Sequence, residues 1–313
     1  MKQPPMLSLT VPPALDGETV STLLRRGLGC SGSLVKQIKH LPNGLFLDGV
    51  PVTVAHRAKA GQRLLAQLPP DPPSEILPVP HPLELPFEDD YLLVVNKPPL
   101  VPVHPGPDHH GDTLGNFLTA HYEAQGEAHL FRPVNRLDRG TSGLLVVAKH
   151  SYIQEALKHQ LHSAAFRRVY LALCEGCPQP PTGTVSAPIG RLEGSVLRRT
   201  VRPDGAPAVT HYATLATTPG GALLRLELET GRTHQIRVHM AHLGCPLVGD
   251  FLYGTERPDL IPRAALHAAA LSFRHPITGQ ILSFFAPLPP DMAPLCPQVP
   301  QLTSTSILCP YGL

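Results

Sequence analysis

Val134-Asn135-Arg136-Leu137-Asp138-Arg139-Gly140-Thr141-Ser142-Gly143, running into Leu144-Leu145-Val146-Val147, is the stretch on which the reading of this chain turns. It sets one carboxylate between two arginines, just ahead of a Gly-Thr-Ser-Gly turn that opens an apolar strand. As a bare pattern this is a turn whose aspartate caps local backbone. The alternative is a carboxylate kept ionised by nearby guanidinium groups, and so available as a nucleophile or base.

Working outward, Leu92-Leu93-Val94-Val95-Asn96-Lys97-Pro98-Pro99 reads as a buried strand ended by prolines. Residues 113–125 read as an amphipathic helix with Leu114, Phe117, Leu118, His121 and Tyr122 on one face. Ser151-Tyr152-Ile153-Gln154 has the spacing of a capping box, opening a helix that carries Leu157 and Leu161. Arg168-Val169-Tyr170-Leu171-Ala172-Leu173 alternates as a half-buried strand, with Tyr170 facing away from Val169, Leu171 and Leu173.

A second alternating run, Leu224-Arg225-Leu226-Glu227-Leu228-Glu229, leads into Thr230-Gly231-Arg232-Thr233-His234-Gln235-Ile236-Arg237-Val238-His239. There Thr233 is placed as the cap of a helix ending at Gly244. Leu271-Ser272-Phe273, a Pro276-Ile277-Thr278-Gly279 turn and Ile281-Leu282-Ser283-Phe284 form a late hairpin. Strands joined by hairpins, with a few helices between, predict an α+β fold with a mostly antiparallel mixed sheet.

The first third is organised differently. Residues 14–68 read as a compact unit: a short helix with Val20, Leu23 and Leu24 inward, then a helix over 33–40 capped by Ser31. A hairpin over 44–52 follows, with Asp48-Gly49 as its two-residue turn. Residues 1–70 hold eight Lys/Arg against three Asp/Glu, whereas the rest of the chain is slightly acidic. A basic appendage on a near-neutral body suits an enzyme acting on a polyanion. Lys36 and Lys39, one turn apart, are the candidate phosphate contacts. Residues 69–86 contain eight prolines and are read as a semi-extended linker, 87–290 as the main domain and 291–313 as an irregular tail.

Composition excludes several classes. The prolines at 4, 5, 12 and 13 interrupt any secretory core, and no apolar run reaches the ~20 residues of a membrane span, so a cytoplasmic protein is expected. The six cysteines are scattered, against a disulfide framework, and Cys174-Glu175-Gly176-Cys177 is a CxxC without a second pair. The 17 histidines include no H-E-x-x-H pattern. These patterns predict no metal site.

The R-L-D-x-x-T-S-G order of residues 136–143 resembles the signature of the RluA family of pseudouridine synthases. The resemblance runs over about 87–289 and rests on further segments in order. These are 92–99, the tyrosine strand 168–176, the near-complete 230–239 signature, Gly249-Asp250-Phe251-Leu252-Tyr253-Gly254 and Leu266-His267-Ala268. The chain departs from the family at Asn135, usually His, and in lacking a glycine after Lys97-Pro98. The helix–helix–hairpin unit resembles the alpha-L RNA-binding domain first seen in ribosomal small-subunit protein four.

The resemblance implies an enzyme that detaches uracil, rotates it and rejoins it through C5, without cofactor or metal. Asp138 would be the nucleophile, attacking C1′ of the ribose or C6 of the base. Arg232 would be its buried counter-charge, with Arg237 as the alternative. Tyr170 would stack on the base and take the C5 proton, Ile236 would pack against the flipped base, and Arg136 would orient the loop or bind phosphate. The implied partner is ribosomal or transfer RNA and the implied state a monomer. A non-catalytic RNA-binding protein and a glycoside hydrolase are the competing readings; the second wants two carboxylates, and the Asp138 loop has one.

Overall fold

The computed structural model describes residues 5–161, 163–218, 220–296, 302–303 and 307–308. Its N-terminal part is a four-stranded sheet in the order β1 (Met6–Thr10), β4 (Arg63–Gln67), β2 (Leu45–Leu47), β3 (Val50–Pro51). Two short helices, α1 (Val20–Thr22) and α2 (Gly32–Lys39), cover it. Ser31 caps α2 by accepting from the Leu34 N–H at 3.2 Å, so that Leu34, Val35 and Ile38 point inward with Leu7, Leu24 and Leu64. Asp48 and Gly49 both have positive φ, the condition for a two-residue hairpin turn that matches strand twist.

The larger part is built on one ten-stranded sheet. Its strands are β5 (Glu84–Glu88), β6 (Leu92–Lys97), β7 (Arg132–Pro133), β8 (Ser142–Ala148), β9 (Arg167–Glu175), β10 (Thr182–Ser186), β13 (Val209–Thr218), β14 (Gly221–Leu228), β15 (Leu266–Arg274) and β16 (Ile281–Phe285). The main path is β10-β13-β14-β9-β15-β8-β6-β5, with β16 on β15 and β7 on β8. A separate hairpin pairs β11 (Ile189–Arg191) with β12 (Arg199–Val201). Every pairing is antiparallel except β8 with β15. Helices α3 (Leu114–Ala124) and α5 (Gln235–His242) pack on one face through Leu114, Leu118, Ile236 and Met240, against Leu93, Leu145 and Leu224. Helix α4 (Ser151–Gln160) packs on the other through Ile153 and Leu157, against Val94, Val146 and Phe273.

Several expectations change. Strand β1 precedes the 14–68 unit, hidden in sequence between prolines yet buried through Leu7 and paired along β4. The last residues of the 69–86 segment already belong to β5, and Asp71 is tied to Arg132 by two charged hydrogen bonds. Ser151 is the first residue of α4 rather than its cap; His150 takes the cap position, and Gln154 donates to the Pro133 carbonyl instead of closing a box. Strand β9 is buried on both faces, because Tyr170 and Ala172 join the core under α3 while Val169 and Leu171 join the core on the reverse side. The 291–313 segment contributes Met292, Cys296 and Ile307 to that reverse core, and Arg225 donates to the Ile307 carbonyl. Within it, residues 297–301, 304–306 and 309–313 lie outside the described residues.

The Asp138 loop enters the sheet where β8 meets β15, and three residues hold it. A Cβ at Gly143 (φ +109) would sit 2.3 Å from the Ala268 carbonyl oxygen and 2.7 Å from its nitrogen, so only glycine lets the parallel pair close. Lys97, buried at the end of β6, donates to the carbonyls of Pro98 (2.8 Å), Val101 (2.8 Å) and Arg139 (3.3 Å). Buried Arg263 donates to the Gly140 carbonyl (2.9 Å) and is itself held bidentately by Asp291. Two successive loop carbonyls after Asp138 are thus pinned by buried cations.

Two outcomes follow from this packing. Gly143→Ala should lower the unfolding free energy by about 3 kcal/mol, from strain and overpacking together, and a denaturant titration measures it. Burial, then the Arg263 charge, pull the Lys97 ammonium down to about 7, with Asp138 opposing them. A lysine depressed on folding contributes stability above its unfolded value and loses it as pH falls through its folded value. Wild type should therefore gain stability over Lys97→Met as pH rises from about 6 to about 9, relative to an unperturbed lysine near 10.4. A pH-independent difference between the two melts would mean that the three carbonyls keep Lys97 fully charged.

Candidate active site

Asp138 lies on the wall of a cleft of about 1050 Å³, between the β7–β8 loop, β9 and the start of α5. The segment 230–237 is shaped by Gln235. Its side chain accepts from Thr230 Oγ1 (2.8 Å) and the Arg232 N–H (2.9 Å), and donates to the Val209 carbonyl and Thr210 Oγ1. With Gln235 committed to the loop, the residue before it takes the left-handed region: His234 (φ +58), not Thr233, stands at the N-cap of α5. One turn of helix then carries Ile236 and Arg237 to the cleft.

Arg237, and not Arg232, approaches Asp138. Arg237 Nη1 lies 3.6 Å from Asp138 Oδ2, while its Nε and Nη2 each reach an oxygen of Asp250 at 2.7 Å. Asp250 is wholly buried and also accepts from the Leu252 and Tyr253 N–H groups. The guanidinium is therefore locked from behind by a carboxylate and presents its remaining edge to Asp138. Arg232 is exposed on the cleft rim, and its Nε donates to the Pro207 carbonyl at 2.9 Å. Sequence order could not separate them: both arginines sit in one motif, and helical phase past His234 decides which turns inward.

His234 was not singled out from sequence, although it stands within the quoted segment. Its Nε2 is 4.0 Å from Asp138 Oδ2 and its Nδ1 shares a 2.8 Å hydrogen bond with the Tyr253 hydroxyl. Burial lowers its pKa, Asp138 opposes this and Arg237 adds to it. A lowered imidazole is neutral at pH 7, which leaves Arg237 as the permanent positive charge on Asp138. Tyr253 extends the group: its ring lies 5.1 Å from the Arg237 guanidinium, and its hydroxyl accepts from the Arg199 N–H. Asp250 and Tyr253, part of a quoted motif with no role attached, are the supporting layer of the site.

Tyr170 and Ile236 line the same cleft as Asp138. Burial raises the Tyr170 pKa, with Arg168 opposing and Asp138 adding. The phenol is thus protonated at neutral pH, so the resting site offers a stacking ring and an O–H donor rather than a ready base. Arg136 is exposed and lines the cleft. Asn135 is buried, and its Oδ1 accepts from the Val146 N–H at 3.2 Å, a structural tie between β8 and the strand before the loop. Lys36 and Lys39 are exposed on α2 and are not among the residues lining this cleft. Among the described residues no group of three or more His, Cys, Asp or Glu side chains is arranged to hold a metal ion, and no helix is long and apolar enough to cross a membrane.

Known proteins share this architecture. Residues 91–242 match the family described as RNA pseudouridylate synthase. The chain is 42% identical over 269 residues to the uncharacterized RNA pseudouridine synthase YjbO of Bacillus subtilis, covering 86% of this chain and 95% of that one. It is 43% identical over 237 residues to the ribosomal large subunit pseudouridine synthase D of Nitrosomonas europaea, covering 73% of this chain and 69% of that one. Among solved structures, the human RNA pseudouridylate synthase domain containing 1 superposes with a TM-score of 0.55 at 29% identity, over 66% of this chain and 83% of that one. With the family match spanning both the Asp138 loop and the helix that brings Arg237 to it, and relatives above 40% identity covering most of the chain, the chain belongs to the RNA pseudouridine synthase family.

Proposed function

We propose that this protein isomerises uridine to pseudouridine in ribosomal RNA of the large subunit, with Asp138 as nucleophile. The observation that carries the mechanism is Asp138 itself: half-buried, 3.6 Å from a guanidinium that buried Asp250 fixes in place. A carboxylate in this setting has a fixed counter-charge on one side and has lost part of its water, the combination a carboxylate nucleophile needs. Attack at C1′ breaks the N1–C1′ bond and leaves the ribose on Asp138, whereas attack at C6 puts the base on Asp138 before N1–C1′ breaks. In either case the freed uracil turns, C5 bonds to C1′, Asp138 is released as the carboxylate, and the proton lost from C5 to the Tyr170 oxygen or to solvent is matched by one taken up at N1. Tyr170 and Ile236 would sandwich the base during that turn. A uridine within a helix must first be extruded, at a cost of a few kcal/mol offset by phosphate contacts.

Large-subunit RNA is favoured over transfer RNA by the named relative from Nitrosomonas europaea. The N-terminal sheet with its capped helix supports an alpha-L-like RNA-binding role, in which Lys36 and Lys39 contact phosphate. The protein is read as a monomer working in the cytoplasm, as the bacterial ribosomal RNA relatives suggest.

Asp138→Asn should abolish pseudouridine formation and leave RNA affinity within about twofold, since shape is kept and the nucleophile is lost. Mapping pseudouridine in purified large-subunit RNA, incubated in parallel with transfer RNA, measures the first; near wild-type conversion would overturn the mechanism. Arg237→Met should cut the single-turnover rate by about 100-fold or more, as for removal of a preorganised charge, whereas Arg232→Met should act mainly on RNA affinity. Equal rate losses in the two variants would restore Arg232 to the chemistry.

A further inference from the structure

Three arginines are buried among the described residues: Arg168, Arg237 and Arg263. Two of them are neutralised, Arg237 by Asp250 and Arg263 by Asp291, each through a bidentate pair. The other buried cations are satisfied too: Lys149 pairs with Glu88 and Glu127, and Lys97 has its three carbonyls. Arg168 differs. Among the described residues its side chain makes one hydrogen bond, from Nη2 to the Leu228 carbonyl at 3.5 Å, the outer limit of such a contact, and its Nε has no partner. No carboxylate pairs with it among the described residues.

A cation taken out of water without a counter-ion is costly to keep, and folding alone gives no return for it. Arg168 nevertheless sits on the wall of the reaction cleft, two residues before Tyr170 on β9 and so on the same strand face. The backbone opposite is cut back to receive it. A Cβ at Gly231 would stand only 3.1 Å from Arg168 Nη1, so glycine at that position leaves space for the guanidinium beside Thr230 and Arg232. The arrangement is a buried, nearly unpaired planar fork, open to the cleft and next to the ring assigned to the base.

We propose that Arg168 forms a phosphate subsite, binding the phosphodiester that flanks the uridine held on Tyr170. This rests on the RNA-modifying role proposed above and deepens it. A guanidinium fork matches two phosphate oxygens, and the group it lacks in the free protein is an anion of this kind. Rim residues such as Arg136 and Arg232 meet RNA with hydrated, mobile charges. Arg168 meets it with a fixed one, and so sets where the nucleotide lies along the cleft relative to Asp138. The other ligand a fork at this place could take is a uracil carbonyl, which the experiment separates.

The test measures binding in the Asp138→Asn background, so that turnover does not blur it. The probe is a short large-subunit ribosomal RNA fragment containing the uridine that wild type modifies, or a short oligouridylate if none is modified. Arg168→Gln should weaken binding by about 10-fold and make the dependence of log affinity on log salt shallower by about 0.7 to 0.9, the value of one phosphate contact. Arg168→Lys should keep that slope and most of the affinity; it also serves if the glutamine variant fails to fold. A single uncharged methylphosphonate flanking the target uridine should weaken the arginine protein by a similar factor and the glutamine variant hardly at all.

If every methylphosphonate costs both proteins equally and the salt slope is unchanged, Arg168 touches no phosphate and the proposal is overturned in favour of a base contact. Wild-type pseudouridine formation is scored in parallel. Its absence together with coupled binding would sink the isomerase reading and leave the subsite standing, whereas its presence with additive binding would do the reverse.

Discussion

Arg237 is the constraint on which the site depends. It spans two carboxylates of unequal character: buried Asp250, which takes both of its stronger hydrogen bonds, and half-buried Asp138, which meets its remaining edge at 3.6 Å. A guanidinium facing Asp138 alone would be drawn into a tight pair and would quench it as a nucleophile. Held from behind, it supplies positive potential without saturating the carboxylate. The arrangement needs Asp250 to be rigid, and the Leu252 and Tyr253 N–H groups on Asp250 Oδ1 make it so.

The large sheet turns that local pair into a site by bringing three distant segments to one place. Asp138 enters before β8, Tyr170 lies on β9, and Arg237 comes from the helix after β14. Strand β15 sits between β8 and β9 and joins them through a parallel pairing on one side and an antiparallel one on the other. Gly143 permits that junction, and Lys97 and Arg263 hold the backbone of the loop that issues from it. Because Arg263 is fixed by Asp291, a residue expected to belong to an irregular tail is coupled to the loop of the proposed nucleophile.

Electrostatics in the cleft are divided by depth. Exposed Arg136 and Arg232 belong to the rim and are screened by salt. Arg168 and Arg237 are buried, and salt screens their charges much less. One is paired with Asp250 and faces the proposed nucleophile; the other is the proposed phosphate contact. Burial also keeps Tyr170 a protonated phenol and holds His234 toward its neutral form, so the permanent charges of the inner cleft belong to arginine and aspartate.

Sequence by itself determined the kind of fold and most of the parts list: the Asp138 loop, the tyrosine strand, the Asp48-Gly49 hairpin and the Ser31-capped helix. The strand, the hairpin and the capped helix were legible because each rests on local physics, a period of two, a cap or a turn that needs positive φ, while the Asp138 loop stood out from an ordinary capping turn only through its resemblance to the RluA signature. Tertiary structure decided which of two arginines in one motif faces Asp138, since helix phase depends on a left-handed residue that Gln235 imposes through contacts with a distant strand. It also decided that β9 is buried on both faces, that β1 completes the N-terminal sheet, that Arg168 lines the cleft, and that Asp250, Tyr253 and Asp291 hold Arg237, His234 and Arg263 in place around it. Those assignments depend on which chains stack above, below and behind a residue, and no spacing along the sequence carries that information.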